Sequence, residues 1–279
     1  MANNITLATK FQPLLDEVYQ AASLTGDLEN SAVKFDGSKI VKVLKLTVPE
    51  LGAYTRNSGY TAGDVQADWE SFELTQDRGT EFDVDAMDDE ETMKMTFGNA
   101  SSEFIRRSVV PQVDAYRFAK MASAEGIGSA SASITTGDAA IKAINAGMIK
   151  MDEDEVTPEG RILYVSATLG GLLDELETYK SKLCLGRFSK IVKVPQKRFV
   201  SGIDVSDTGF AKSADAKNLN FLIVDPKAVF GVAKHTKLRV FDPDTNQKKD
   251  AYLFQYRLYH DMFVYPQKAA GVYAHLGAE

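Results

Sequence analysis

The amino-acid sequence predicts an α+β protein, and three observations support this prediction. Residues 100–124 carry a long apolar stripe at helical spacing, whereas residues 72–75 and 82–86 alternate apolar with polar side chains, as strands do. Strand-like segments also fill residues 228–279. Between the first two predicted strands, residues 51–69 show neither period. A loop of that length in a compact protein is usually functional or disordered, since loops above about 12–15 residues are uncommon.

Composition and charge are those of an ordinary globular protein and exclude several functional classes. The 279 residues are 44% hydrophobic and 25% charged, with a net charge of −7 and a pI near 5.2. This acidic balance argues against a main surface that grips nucleic acid. The single cysteine, Cys184, excludes an intramolecular disulfide and a cysteine-based zinc cluster. No apolar run reaches the roughly 20 residues that span a bilayer, and no signal peptide is visible, so we expect a cytoplasmic product.

The N-terminal residues predict a short amphipathic helix followed by polar chain. Phe11, Leu14, Val18 and Ala22 fall at helical spacing, and Gly26 marks a helix stop. A helix of this kind fits an arm and fits equally well the first helix of a domain.

Residues 40–48 are rich in β-branched side chains and predict a strand that ends at Pro49. The loop 51–69 contains three glycines, two tyrosines and no lysine. With the alternating strands that follow, it predicts an extended hairpin that is solvated on one face and projects roughly 30–50 Å at about 3.3 Å per residue. Because a lone hairpin is marginally stable, this one needs another surface to lie on.

The rest of the chain predicts a kinked helix, an α/β segment and C-terminal strands. Pro111 lies inside the helix 100–124 and is expected to kink or restart it. Small residues after this helix form a linker. Helices are predicted at 138–151, capped by Asp138, and at 167–183, with strands at 161–166, 191–200 and 219–225.

The sequence contains no motif for catalysis or cofactor binding. Its glycines form no phosphate-binding pattern, and His235, His260 and His275 lack metal-ligand spacing, so partly buried strand histidines are the ordinary interpretation. Cys184 lies between leucines, which is typical of packing rather than of a nucleophile. The segment "DPDTNQ" from Asp242 lacks the glycine and glutamate of a calcium loop and predicts a turn. We therefore expect no enzyme activity, no cofactor and no metal; an α/β enzyme without a recognisable site is the alternative.

Charge is distributed unevenly along the chain. Residues 68–91 carry eleven acids and one base, and residues 180–198 carry seven bases and no acid. Two opposite blocks predict a head-to-tail contact between copies, and two separately solvated surfaces are the alternative. The side chains predicted for this contact are Glu70, Glu73, Glu81, Lys190, Lys193 and Lys197.

The order of these parts, together with several phrases, resembles a known family. The phrases are "FDGSKIVKVLKLTV", "YTRNSGYTAGDVQADWESFELTQDRGTEFDVDAMDDEET", "VVPQVDAYRFAK" and "FVYPQKAAGVYAH". The chain resembles major capsid proteins of tailed bacteriophages of the Hong Kong 97 type, in particular the shorter forms from phages of Gram-positive hosts. The resemblance covers nearly the whole chain and contains no catalytic signature.

The resemblance implies a phage capsid fold with an N-terminal arm, an extended hairpin called the E-loop, a peripheral domain with a long spine helix, and an axial domain. The implied bounds are 1–36 for the arm, 37–90 for the E-loop hairpin, 91–135 for the peripheral domain with the spine helix, 136–225 for the axial domain and 226–279 for further peripheral strands. The E-loop tip then contacts a neighbouring subunit through Tyr54, Arg56, Asn57, Tyr60 and Trp69.

The function implied by the resemblance is that of a virion protein. Copies of the chain would self-assemble as hexamers and pentamers, in the host cytoplasm, into an icosahedral shell around double-stranded DNA held without sequence-specific contact. Portal, scaffolding and decoration proteins are the implied partners, and no membrane is involved. Residues 51–80 contain no lysine, so we expect no lysine–asparagine crosslink, and because the chain begins directly with the arm we expect any scaffold to be a separate protein. A bacterial nanocompartment shell of the same fold is the alternative.

Overall fold

The computed structural model describes residues 23–29, 35–36, 39–54, 56–57, 60, 62–87, 96–176, 178–206, 209–246 and 248–278. The predicted helix around Phe11–Ala22 and the acidic residues 88–91 lie outside these ranges. Within them the chain forms strands β1 (Phe35–Asp36), β2 (Ile40–Thr47), β3 (Gln66–Glu73), β4 (Gln76–Asp85), β5 (Gly128–Ser131), β6 (Ile162–Ser166), β7 (Lys190–Val194), β8 (Ile203–Ser206), β9 (Gly209–Lys212), β10 (Leu219–Val224), β11 (Val229–Phe241), β12 (Ala251–Val264) and β13 (Val272–Leu276). The α-helices are α1 (Thr96–Phe104), α2 (Val110–Ala122), α3 (Gly137–Glu153), α4 (Ala167–Asp174) and α5 (Tyr179–Leu185).

A five-stranded mixed sheet, in the order β5-β13-β10-β6-β7, forms one core of the protein. Its strand β6 is buried along its whole length, which is typical of a strand covered on both faces. Tyr164 and its alternate neighbours pack against Phe118 and Met121 of α2, whereas Leu163 and Val165 face the cluster formed by α3, α4 and α5. The continuous apolar run that predicted this strand therefore serves two helical layers.

A three-stranded antiparallel sheet, in the order β11-β12-β4, forms a second core. Strands β11 and β12 pair from Val229–Val264 to Phe241–Leu253, with one irregularity between Ala233 and His235. The turn that joins them is closed by the Thr245 amide, which donates to the Asp242 carbonyl at 2.9 Å. The predicted turn at "DPDTNQ" is confirmed.

The predicted spine helix is a continuous helical segment that runs from α1 into α2. Between them, Ile105–Val109 is π-helical, and the Val110 amide donates to the Ile105 carbonyl. Pro111 has no N–H group and cannot continue the regular α-helical ladder, so the wider turn lies directly before it. Val109 and Val113 pack on the three-stranded sheet β11-β12-β4, which we call the long sheet, and Phe118 packs on the five-stranded sheet. This one helix therefore joins the two cores.

Local details of the predicted helices differ from expectation for reasons of hydrogen bonding. Thr136, rather than Asp138, caps α3, since its hydroxyl accepts from the Ala139 amide at 3.3 Å. The single helix predicted over 167–183 is two helices, because the Thr178 hydroxyl accepts from the Ser181 amide and starts α5 anew. The strand predicted at 191–200 stops at Val194, before Pro195 and a 3₁₀ turn.

Two strands lie in different sheets from those that the sequence suggested. Strand β4, within the range 37–90 assigned to the hairpin, pairs with β12 from Asp85–Ala251 to Gln76–His260. Strand β13, within the range 226–279 assigned to the peripheral strands, pairs with β10 and β5 in the five-stranded sheet. Alternation predicted β4 and the strand-like C-terminal residues predicted β13, but neither pattern holds information on a distant partner. The hairpin arm is thus β2 and β3 alone.

Candidate intersubunit interface

The extended hairpin of β2 and β3 packs on the body with one face and leaves its other face exposed. Strands β2 and β3 pair in register from Ile40–Glu73 to Thr47–Gln66. Eight residues per strand span about 26 Å at about 3.3 Å per residue. Residues 48–65 connect the strand ends, and those of them that the structure describes belong to no helix or strand. The predicted extended hairpin is confirmed.

The inner face of the hairpin anchors it to the body. Val41 is fully buried in a cluster with Phe230 and Val232 of β11. The Phe72 ring packs edge-on against Phe230, with ring centroids 5.4 Å apart, and lies 5.1 Å from the Phe263 ring. This aromatic contact offsets the weakness of an isolated two-stranded ribbon.

The outer face of the hairpin is exposed, and its half toward the tip is apolar. Leu44 lies directly opposite Trp69, and Leu46 lies directly opposite Ala67. Trp69 is 64% exposed and Leu44 45% exposed. Large apolar side chains that form a contiguous exposed row, rather than single scattered ones, mark a surface that another molecule covers. Leu44 and Leu46 were missed as contact residues, although their even-numbered positions on β2 already place them on the face opposite Val41.

The tip of the hairpin is held in shape by contacts across the loop. The rings of Tyr54 and Tyr60 lie 5.0 Å apart and are both largely exposed. A Cβ atom at Gly63 would lie 2.4 Å from the Cβ of Pro49, so the two limbs of the loop touch there only because Gly63 has no side chain. The exposed Tyr54 and Tyr60 rings thus lie in a loop whose two limbs contact each other at Pro49 and Gly63.

The structure separates the residues predicted for the tip. Tyr54, Tyr60 and the exposed turn residues Arg56 and Asn57 lie in the loop. Trp69 instead lies within β3, on the flat outer face, because pairing extends to Gln66. Their contact with a neighbouring subunit stays a prediction.

The charged residues predicted for a contact between copies lie on four different elements, β3, β4, β7 and a 3₁₀ turn. Glu70 and Glu73 are on β3, whereas Glu81 is on β4 and accepts from Gln255 at 2.9 Å. Lys190 and Lys193 already form exposed ion pairs within their own chain, with Asp27 and Asp174. Lys197 lies in the 3₁₀ turn after Pro195. Exposed pairs contribute little, about 0–1 kcal/mol each, so the charged contact between copies stays a prediction that must compete with these partners.

The residues weighed for catalysis lie on separate elements. His260 is buried in β12, edge-on to the Tyr116 ring at 5.6 Å, and His275 is buried in β13, stacked on Phe221. Cys184 is buried on α5, where burial raises the pKa of its thiol. The side chain of His235 lies outside the described residues. Burial of His260 and His275 in strands confirms the packing interpretation for these two.

Acid should destabilise the protein through His260. Burial, reinforced by the nearby Arg117 guanidinium, lowers the pKa of His260 from 6.5 to about 3. The unfolded chain binds this proton below its own pKa of about 6.5, so the stabilising contribution is complete above that value and is lost as the pH falls toward about 3. We expect the unfolding free energy to fall more steeply below pH 6.5 in the wild type than in His260→Phe, as measured by urea titrations at a series of pH values. Parallel slopes would contradict this assignment, since groups common to both proteins cancel in the comparison.

Other site types find no support among the residues that the structure describes. No group of three or more His, Cys, Asp or Glu side chains there is arranged to hold a metal ion. A groove of about 690 Å³ on the outer face of the long sheet is lined by Arg257, Lys237 and Arg239, but Arg257 is paired with Asp77. No described helix is long and apolar enough to cross a membrane.

Solved structures of phage and particle proteins are similar to this chain over almost its whole length. A structure from Mycobacterium phage Che8 superposes with a TM-score of 0.63 at 14% identity, covering 91% of this chain and 90% of that one. A capsid structure of the cyanophage P-SCSP1u gives 0.62 at 13% identity, with 92% and 89% covered. The crystal structure of a virus-like particle from Pyrococcus furiosus gives 0.59 at 12% identity, with 96% and 98% covered.

No protein-family model and no curated protein sequence matches the chain. At identities of 12–14% these superpositions show the fold alone. The predicted fold class is confirmed: the protein has an α+β fold shared with phage capsid structures.

Proposed function

We propose that the protein is a major capsid protein, whose copies assemble into a closed icosahedral shell. The observation that carries the proposal is the hairpin, whose outer face is apolar and exposed from Leu44 and Trp69 toward the tip. A single copy gains nothing from exposing this row to water. Burying a large apolar side chain is worth about 1.5–3 kcal/mol, and this gain becomes available when a second copy covers the face.

An exposed hairpin face is compatible with closed assembly. If it docks on a different surface of a second copy, and that copy docks on a third, the contacts are head to tail. Such head-to-tail contacts generate rings when the rotation closes. We propose hexameric and pentameric rings as the units of the shell, in agreement with the capsid fold.

The finer aspects of the proposal depend on the sequence resemblance. These are the enclosed double-stranded DNA, a phage of a Gram-positive host, assembly in the host cytoplasm, and portal, scaffolding and decoration proteins as partners. The division into arm, E-loop, peripheral and axial domains is likewise proposed, with β4 and β13 placed as the structure has them. A non-enzymatic role agrees with the scattered positions of Cys184, His260 and His275.

A nanocompartment shell is a second candidate. The virus-like particle from Pyrococcus furiosus covers 96% of this chain and 98% of its own, so the two chains are nearly equal in extent. The two candidates differ in content. Particles from the native source are expected to hold nuclease-protected DNA of uniform length. Particles that hold a protein cargo and no protected DNA would favour the nanocompartment.

Assembly itself is the first test of the proposed function. We expect the purified chain to convert, as its concentration is raised, from a slowly sedimenting species to closed particles of uniform size that are visible by electron microscopy. The expected concentration dependence is steep, because each subunit makes several contacts at once. A chain that stays monomeric over the whole range in which it is soluble would contradict the proposal.

A further inference from the structure

One turn of the spine helix, Asp114–Arg117, contacts both residues 23–29 and the base of the hairpin. Asp114 and Arg117 bind residues 23–29, and Tyr116 is linked through the Asp261 carboxylate to the junction between the hairpin and the body. We call this set of residues, together with Asp261 of β12, the arm clamp.

The hairpin side of the clamp is built around the Asp261 carboxylate, which is fully buried. Its Oδ2 accepts from the backbone amide of Thr75 at 2.8 Å and from the Thr75 hydroxyl at 2.9 Å. Its Oδ1 accepts from the Tyr116 hydroxyl at 2.9 Å and from the Met262 amide at 2.8 Å. Four donors thus bind one buried carboxylate. Losing some of these hydrogen bonds would leave polar atoms buried without partners, which destabilises the folded protein.

The junction that these bonds hold is two residues long. Leu74 and Thr75 separate the last residue of β3 from the first of β4. The Leu74 amide donates to the Lys39 carbonyl at 2.9 Å, and the Tyr259 hydroxyl donates to the Leu74 carbonyl at 2.9 Å. The Leu74 side chain is buried with Val41. The backbone where the hairpin joins the body is therefore fixed on both sides.

The N-terminal side of the clamp uses the same helical turn. Asp114 is buried and accepts from the Leu24 amide at 3.1 Å and from the Thr25 hydroxyl at 2.7 Å. Arg117 donates to the Thr25 hydroxyl at 3.1 Å and to Glu29 at 2.7 Å. Residues 23–29 are thus fixed to the helix that also holds the hairpin.

We propose that the arm clamp sets the direction in which the hairpin leaves the body, and that Asp261, Tyr116 and Thr75 are positioning residues for shell assembly. The proposal rests on the proposed function. A rotation of about 10° at the junction would move the far end of the paired strands, about 26 Å away, by about 5 Å. Binding contacts tolerate much smaller errors, and every subunit of a shell repeats the same error.

The protonation of the clamp agrees with this role. Burial raises the pKa of Tyr116 well above its ordinary value of 10.0, and the negative charge of the neighbouring Asp261 carboxylate raises it further. The phenol therefore keeps its proton and remains a donor to the carboxylate. Tyr116→Phe removes this donor with little change of shape.

The first test measures hydrogen exchange in the subunit. Tyr116→Phe, Thr75→Val and Asp261→Asn are each expected to speed exchange of the amides of β2 and β3 at least tenfold, without change in the five-stranded sheet. Tyr164→Phe is the matched control, because it removes a phenol hydroxyl that is buried on β6 without a hydrogen-bond partner. If Asp261→Asn fails to fold, the exchange rates of Tyr116→Phe and Thr75→Val test the clamp. Hairpin exchange equal to that of the wild type in both would overturn the clamp.

The second test measures assembly at matched stability. The same variants are expected to lose at least tenfold in the yield of uniform shells, or to form particles of mixed size. Ile144→Val, a core substitution in the other half of the protein, controls for a general loss of stability and should still give uniform shells. Clamp variants that exchange faster in the hairpin yet assemble as the wild type does would overturn the positioning role. A wild type that never assembles contradicts the proposed function instead, and the clamp is then decided by exchange alone.

Discussion

Replacing the hairpin loop with a two-residue turn is expected to leave a folded subunit that forms no shells. The variant removes residues 48–65 and joins Thr47 to Gln66 through Asn-Gly. Thr47 and Gln66 lie directly opposite each other, and Asn-Gly is the preferred sequence for the tight turn that such a pair requires. Those deleted side chains that the structure describes are exposed, and a shorter loop costs less entropy to close. The melting temperature should therefore change by less than about 3 °C.

Sedimentation and electron microscopy of this variant should show subunits and no closed particles. Its control replaces residues 48–65 with eighteen Gly and Ser residues, which keeps the length but removes the Tyr54 and Tyr60 rings and the fully exposed Leu51. We expect this control to fail in assembly as well. Normal shells from the Asn-Gly variant would show that the loop makes no contact between copies. Normal shells from the Gly-Ser control alone would assign the effect to reach rather than to side chains.

The features that could be predicted from the sequence are those encoded by neighbouring residues. β-Branched side chains predicted β2, period-two alternation predicted β4, and Pro111 predicted a break in the spine helix, because these signals act over a few residues. The long loop was also visible, since nothing in residues 51–65 supports a regular element. Trp69 was assigned to the tip of the loop, but it lies within β3. The polar residues at the start of this strand give no alternating pattern by which its first residues could be recognised.

The features that could not be predicted depend on residues far apart in sequence. Asp261 accepts from Thr75, 186 residues earlier, and from Tyr116, 145 residues earlier. No local pattern distinguishes these from ordinary strand and helix residues. From the sequence, strand β4 is a plausible partner for the hairpin strands. In the structure it pairs with β12, and its Phe82 ring stacks on the Phe254 ring of that strand, with centroids 4.6 Å apart.

Substituting the central pair of the outer face should abolish assembly with little cost to the subunit. Leu44→Ser combined with Trp69→Ser removes two side chains that are 45% and 64% exposed. In the subunit the loss is mainly their cross-strand contact, worth about 0.2–1 kcal/mol. In the shell a large apolar side chain that goes from fully exposed to buried contributes about 1.5–3 kcal/mol. Since only about half of each of these two side chains remains to be covered, each contact should weaken by about 2–3 kcal/mol. That corresponds to a loss of about thirtyfold to about a hundredfold in its equilibrium constant.

The measurement is the subunit concentration at which half of the protein is assembled, compared with that of Thr47→Ser combined with Gln66→Ser. This control changes the opposed pair at the end of the same two strands, where little apolar surface is lost. We expect the control to assemble as the wild type does, and the Leu44 and Trp69 variant to remain unassembled at concentrations at least tenfold higher. If the two variants assemble alike, the outer face of the hairpin is solvated in the shell. The exposed row would then have no role in assembly, and the loop tip alone would carry the contact.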